Sequence, residues 1–110
     1  KGVLFILSSI NYQDCLHSHL EIIDSIFSEY NEIILSVLET SKNPMKKLAL
    51  TVLINITDKI LTTEFQGEGV ISFIKNQELG NFVEEWKYND DDEIQGLSTN
   101  FYNQVIRLFS

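Results

Sequence analysis

The sequence predicts an all-α chain of about two and a half stacked helical repeats, wound as a right-handed α–α superhelix. Three observations predict it. The segment Leu48-Ala49-Leu50-Thr51-Val52-Leu53-Ile54-Asn55-Ile56-Thr57 echoes Leu4-Phe5-Ile6-Leu7-Ser8-Ser9-Ile10-Asn11-Tyr12-Gln13 at an offset of 44 residues, and a period in the forties is the mark of stacked helix arrays. A weaker third copy follows 49 residues further on, where Leu97, Phe101, Val105 and Phe109 take the places of Leu48, Val52, Ile56 and Ile60, and Gln104 that of Asn55. Composition is the third observation: 44% of the 110 residues are hydrophobic, with 1 Pro and 5 Gly, so the chain can form a core and is poor in turn residues.

The elements follow in order. A first helix is expected from Val3 to about Asn11. Asp14 is a candidate cap for a second, whose Leu16, Leu20, Ile23, Ile26/Phe27 and Tyr30 recur at the three-to-four-residue spacing of one helix face. Glu32 to Glu39 reads as a short helix with Ile33, Ile34, Val37 and Leu38 inward. Asn43-Pro44 marks the next start, with Asn43 as cap and Pro44 at the first helical position, where its missing N–H is harmless. The helix from Met45 to about Leu61 is the longest, and its run Leu48 to Ile56 is nearly apolar all round, as befits a helix sandwiched between neighbours. Gln66-Gly67-Glu68-Gly69 is a turn, and Val70 to Lys75 reads as one or two helical turns, with Val70 to Ile74 the only strand candidate. Leu79 to Tyr88 is a helix with Phe82, Val83 and Trp86 on its apolar side. The polar linker Asn89-Asp90-Asp91-Asp92 then leads into a last helix, Glu93 to Phe109, whose N-terminal acids suit the dipole and capping. The chain, residues 1–110, is expected to be a single helical piece of a longer solenoid: it enters an apolar helix almost at once and stops at Leu108-Phe109-Ser110 without a polar tail.

Charge and cysteine usage narrow the function. A net charge of −8, from 16 acids and 8 bases with Arg107 the one arginine, argues against a nucleic-acid surface, which needs clustered Lys and Arg. It makes basic peptides plausible partners. The single Cys15 allows no internal disulfide and suits a reducing compartment, so a cytoplasmic or nuclear location is expected. The apolar run Val3 to Leu7 is too short to span a membrane.

The chemistry-bearing residue types do not assemble into an active site. Cys15, His17 and His19, with Asp14 and Glu21 beside them, are metal-ligand and thiol-nucleophile types. Residues two apart on a helix point about 200° from each other, so the three cannot face one ion. Asp90 to Glu93 lacks the glycine and the bidentate Glu of a calcium loop. Gly67-x-Gly69 has neither the preceding strand nor the third glycine of a dinucleotide fingerprint. No metal, cofactor, small-molecule substrate or catalysis is expected. Asn55 is the strongest candidate contact, because an amide on the inner helix of a repeat can hydrogen-bond the backbone of an extended peptide. Asn11 and Gln104 extend that ladder, and Arg107 lies beside it; the competing reading is that each amide ties its repeat to adjoining structure, since a buried polar group needs a partner.

The pattern of Glu32 to Thr57 above all resembles armadillo and HEAT-type solenoids, which bind other chains rather than perform chemistry. Thr51 stands where importin-alpha-like armadillo proteins carry a stacking Trp, which argues against a nuclear-localisation-signal receptor. The run Asn11-Tyr12-x-x-Cys15-x-His17, the helix with Ala49-Leu50-x-x-Leu53 and the closing pair from Leu79-Gly80 to Leu108 are similar to the C-terminal half of the PUL domain. That domain ends the ubiquitin adaptors related to phospholipase A2-activating protein. The resemblance implies an armadillo-like array whose basic groove takes the acidic C-terminal tail of the valosin-containing AAA ATPase. Lys46, Lys47, Lys59, Lys75, Lys87 and Arg107 are the cations available for such a groove. The expected function is therefore non-enzymatic protein binding, in the specific form an adaptor for that ATPase in ubiquitin-dependent degradation, in the general form an armadillo-repeat scaffold holding an extended peptide.

Overall fold

With so few prolines and glycines, little in the chain interrupts a helix. The computed structural model describes residues 2–110, apart from the side chains of Val3 and Gln13. It is 79% helical, with no strand among the described residues. Among the described residues seven α-helices follow one another: α1 (Gly2–Ser8), α2 (His17–Glu29), α3 (Asn31–Glu39), α4 (Asn43–Thr62), α5 (Glu68–Ile74), α6 (Gln77–Trp86) and α7 (Asp92–Leu108), with a 3-10 turn at Tyr12–Asp14 between α1 and α2. None of these helices is long and apolar enough to cross a membrane.

Helices three apart in the order pack on each other: α1 on α4, α2 on α5, α3 on α6 and α4 on α7. The three sequence copies thus become a row, α1–α4–α7, with α4 in the middle. Ala49, Leu50, Val52, Leu53 and Ile56 of α4 are buried, as is Thr57, so apolar contact wraps more than one side of the helix. Its neighbours contribute Leu4 and Leu7 from α1 and Ile94 and Phe101 from α7 to the same core. The radius of gyration, 12.9 Å, is what a compact chain of this length has, about 13 Å.

Two polar ties set the register of α4 against α7. Lys47 Nζ lies 3.0 Å from Asp91 and 3.2 Å from Glu93 at the start of α7. Asp91 is also the N-cap of α7, its carboxylate accepting from the backbone N–H groups of Glu93 and Ile94. The hydrogen bond from Lys47, with those caps, holds the Asp91 carboxyl below the usual range, and the same contact raises Lys47.

Several boundaries differ from the sequence expectation. Helix α1 ends at Ser8 rather than near Asn11, because the buried Tyr12 ring folds back and its hydroxyl donates to the Leu7 carbonyl at 3.0 Å. Burial, and after it the neighbouring Cys15, pushes the Tyr12 phenol up. Asp14 does not cap α2; it lies in the 3-10 turn, and Leu16 occupies the N-cap without a side-chain bond. Leu16 and Tyr30 are consequently exposed, while Leu20, Ile23 and Phe27 form the buried face. In α3 the inward residues are Ile34, Leu35 and Leu38, and Ile33 faces solvent. Lys42 rather than Asn43 is the N-cap of α4, a shift of one residue. The strand candidate Val70 to Ile74 is helical, within α5.

Helix α5 is held from a distance. Asp24 of α2 accepts from the backbone N–H groups of Gly69 at 3.1 Å and Val70 at 2.7 Å. A β-carbon on Gly69 would lie 2.5 Å from the Asp24 carbonyl oxygen, which belongs to helix backbone and cannot yield. Just before it, Gly67 has φ of 63°, a left-handed conformation that glycine adopts at little cost, and any side chain there would collide with Ile60.

Two tests follow from this packing. Gly69→Ala is expected to lower stability by about 1–3 kcal/mol through overpacking, whereas Gly80→Ala in α6, where an added β-carbon meets nothing within 4 Å, is expected to be neutral or to raise it by up to about 1 kcal/mol; urea melts check both. The depressed Asp91 carboxyl stabilises the fold fully above its unfolded value, about 3.9, and that contribution is lost as pH falls through the lower folded value. Asp91→Asn keeps a capping oxygen but removes the titrating charge. Its stability is expected to fall less steeply than the parent's below about pH 4 in acid titrations followed by circular dichroism.

Candidate protein-binding surface

Of the four candidate residues, Gln104 alone makes a bond across the α4–α7 seam. Gln104 on α7 is buried, and its Nε2 donates to the Ile54 carbonyl of α4 at 3.1 Å. Its Oε1 is buried with no partner among the described residues. Asn55 follows Ile54 directly; it is half-buried, and its side chain makes no hydrogen bond among the described residues. Arg107 comes one turn after Gln104, and side chains three apart on a helix are surface neighbours. It is exposed, lies in the last turn of α7 where the dipole favours a cation, and has no ion-pair partner among the described residues.

Asn11 stands apart from this group. Because α1 stops at Ser8, Asn11 lies outside the helix that was to carry it. It is engaged locally: its Nδ2 donates to the Asp14 carboxylate at 2.9 Å, and its carbonyl accepts from the Asp14 N–H. Gln104 for its part serves as a tie between helices, while Asn55 and Arg107 keep free hydrogen-bonding capacity. An unpaired amide can accept from and donate to a peptide main chain, and an exposed guanidinium has affinity for a carboxylate.

In the Cys15–His19 region Cys15 is half-buried, and His17 and His19 are exposed. Burial pushes the half-buried Cys15 thiol up, with Lys59 opposing, and a raised thiol value disfavours the nucleophilic thiolate. His17 sits 3.3 Å from Glu21 and meets the Phe65 ring edge-on, centroids 6.0 Å apart. Among the described residues no three His, Cys, Asp or Glu side chains gather as a metal site.

Two surface features escaped the sequence reading. A groove of about 430 Å³ runs between α1 and the start of α4, lined by Phe5, Val37, Lys42, Pro44 and Met45 among others. A smaller apolar slot of about 130 Å³ lies between α6 and α7, where Leu79, Gly80 and Val83 face Phe101, Tyr102 and Val105. The slot carried one sequence signal: Gly80 inside a helix, with no neighbour that requires a glycine there. The groove carried none, because it depends on how α1 meets α4.

The seam predicts a separation of roles. Gln104→Ala is expected to destabilise the fold by about 1–3 kcal/mol, from the lost bond and the space it leaves, while Asn55→Ala changes stability by less than about 0.5 kcal/mol; equilibrium urea unfolding of both variants measures this. Comparison of the chain with protein-family models, with curated proteins and with solved structures finds no match.

Proposed function

We propose that the chain is a non-enzymatic protein-binding module, an armadillo-like right-handed superhelix of about two and a half repeats that holds an extended peptide along the α4–α7 seam. The observation that carries the reading is the pairing of helices three apart, α1 with α4, α2 with α5, α3 with α6 and α4 with α7. Three-helix repeats stacked on their neighbours generate that order. The placement of the three sequence copies on α1, α4 and α7 supports it as well. Asn55 and Arg107 are the contacts with free hydrogen-bonding groups, Gln104 holds the wall behind them, and Asn11 sits at the margin.

The sharper version, drawn from the PUL resemblance, is an adaptor that takes the acidic C-terminal tail of the valosin-containing AAA ATPase during ubiquitin-dependent degradation in the cytoplasm or nucleus. Arg107 is its natural partner for a carboxylate. The general version is a scaffold for a different extended peptide, for which the chain's net charge of −8 favours a basic one.

Calorimetric titration with the ATPase tail peptide, at low and at moderate salt and with a basic peptide as control, separates the two. Micromolar binding of the tail that weakens with salt, and that drops about tenfold in Asn55→Ala and Arg107→Gln without a change in urea midpoint, is the expected result; tenfold corresponds to about 1.4 kcal/mol. Binding of the basic peptide alone replaces the adaptor with the general scaffold, and binding of neither removes the peptide-groove reading.

A further inference from the structure

Packing of α2 on α5 and of α3 on α6 sets two pairs of helices side by side, and a furrow of three cavities follows the line where they meet. The first, of about 270 Å³, lies between α2 and the loop into α5 and is walled by Glu21, Asp24, Glu64 and Glu68. The second, of about 130 Å³, is walled by Ser28, Asn31, Ser72 and Asn76. The third, of about 330 Å³, has Glu32, Glu39 and Glu78 on its walls, and Asn31 and Asn76 again, so the second and third adjoin. The first meets the second at Gly69, which Asp24 and Ser28 both approach. His17, Glu21, Asp24 and Ser28 stand three or four residues apart on α2, which is one stripe of the helix.

The furrow is acidic at both ends and neutral between them. Seven of the chain's 16 acids line it, and among the described residues no Lys or Arg does. Glu32, Glu39, Glu64, Glu68 and Glu78 have no ion-pair partner among the described residues, and Glu21 has only His17, 3.3 Å away. Carboxylates gathered without a cation repel one another, and a cation set among them relieves that repulsion. The two amides add a second kind of contact. Asn31 Nδ2 donates to the Ser28 carbonyl at 2.7 Å, and Asn76 Oδ1 accepts from the Glu78 N–H at 2.9 Å. Asn31 therefore keeps an amide oxygen, and Asn76 an amide NH2, without a partner among the described residues. One acceptor on α3 and one donor at the cap of α6 match the alternating N–H and C=O groups of an extended main chain.

We propose that a basic segment of a partner protein lies extended in this furrow, its Arg or Lys side chains on the carboxylates of the two outer cavities and its main chain on Asn31 and Asn76. Charge complementarity selects that occupant, because carboxylates take guanidinium and ammonium donors in charge-assisted bonds and repel an anionic segment. The molecule measures 37 by 31 by 25 Å. An extended chain therefore crosses it in about 8–11 residues at 3.3–3.4 Å each, with every second side chain turned to the furrow. None of the seam residues Asn55, Gln104 and Arg107 lines the three cavities, so the furrow is a separate site and does not depend on peptide binding at the α4–α7 seam.

Calorimetric titration of the whole chain with a peptide of about ten residues, Arg at every second position and Ser between, tests this against the same peptide with Gln for Arg. The Arg peptide is expected to bind, about tenfold more weakly at moderate than at low salt, and the Gln peptide not to bind. Glu21→Gln/Glu64→Gln and Glu32→Gln/Glu78→Gln each neutralise one end of the furrow, and each is expected to weaken binding about tenfold. Glu85→Gln/Asp90→Asn removes two exposed acids outside the furrow and is expected to change it by less than about twofold. Circular dichroism checks that all three variants fold. No binding of the Arg peptide overturns the proposal. So does equal weakening in all three variants, which marks attraction to net charge, and so does weakening at one end alone, which marks a local pocket. Weakening by Asn55→Ala with both end variants unchanged places the peptide at the seam, overturning the furrow while the seam reading stands.

Discussion

Burial of α4 between α1 and α7 is the constraint from which the remaining structure follows. A helix that is apolar over most of its circumference has no stable place except between two partners, and Leu50, Leu53 and Ile56, each no more than 2% exposed, show that both are in position. Apolar contact is non-directional and leaves rotation and sliding weakly specified. Direction comes from the polar ties at two heights of the α4–α7 seam: Lys47 with Asp91 and Glu93 near the start of both helices, and Gln104 with the Ile54 carbonyl further along. The first tie is double, since Asp91 caps α7 and pairs with α4 at once. The residue that begins α7 thereby also fixes where α7 lies.

Charge is unevenly placed along the chain. Residues 2–41 contain Asp14, Glu21, Asp24, Glu29, Glu32 and Glu39 with no Lys or Arg. Three of the lysines after residue 41 lie over aromatic rings, Lys46 over Trp86, Lys75 over Phe109 and Lys87 over Tyr102. A lysine stem laid along an aromatic face shields apolar area while its ammonium stays in water. Two of those rings, Tyr102 and Phe109, are exposed, and the lysines cover part of them.

What could be read from the sequence was what local signals encode. Pro44 announced α4, Asp91 lay in the linker expected to start α7, and the apolar run Leu48 to Ile56 identified the buried helix, because capping and periodicity act over a few residues. The end of α1 was misjudged because Tyr12 closes it by reaching back to Leu7, a choice that competes with continuing the helix and leaves no periodic trace. Asp14 had the chemistry of a cap and was used in a turn. The strand candidate at Val70 failed because the helix there is capped by Asp24, about 45 positions earlier, a partner no window of sequence contains. The candidate site divides in the same way. Asn55 and Gln104 were recognisable as amides at repeat-equivalent positions, but only the packing of α7 on α4 turned one of them into a structural tie and left the other with spare hydrogen-bonding capacity.

The Asp24 cap makes α5 a conditional helix. Seven residues fall well short of the roughly 12–15 that an isolated helix needs even to be marginal in water, and two of the N–H groups at its first turn are satisfied only by a carboxylate carried on α2. Helix α5 has therefore no stability of its own to lend; it borrows order from α2 and surrenders it when α2 lifts away. The two are expected to open together although Asp24 and Gly69 are 45 positions apart. Protection of the Gly69 and Val70 amides against solvent exchange accordingly reports the docking of α2 rather than the strength of the helix to which they belong.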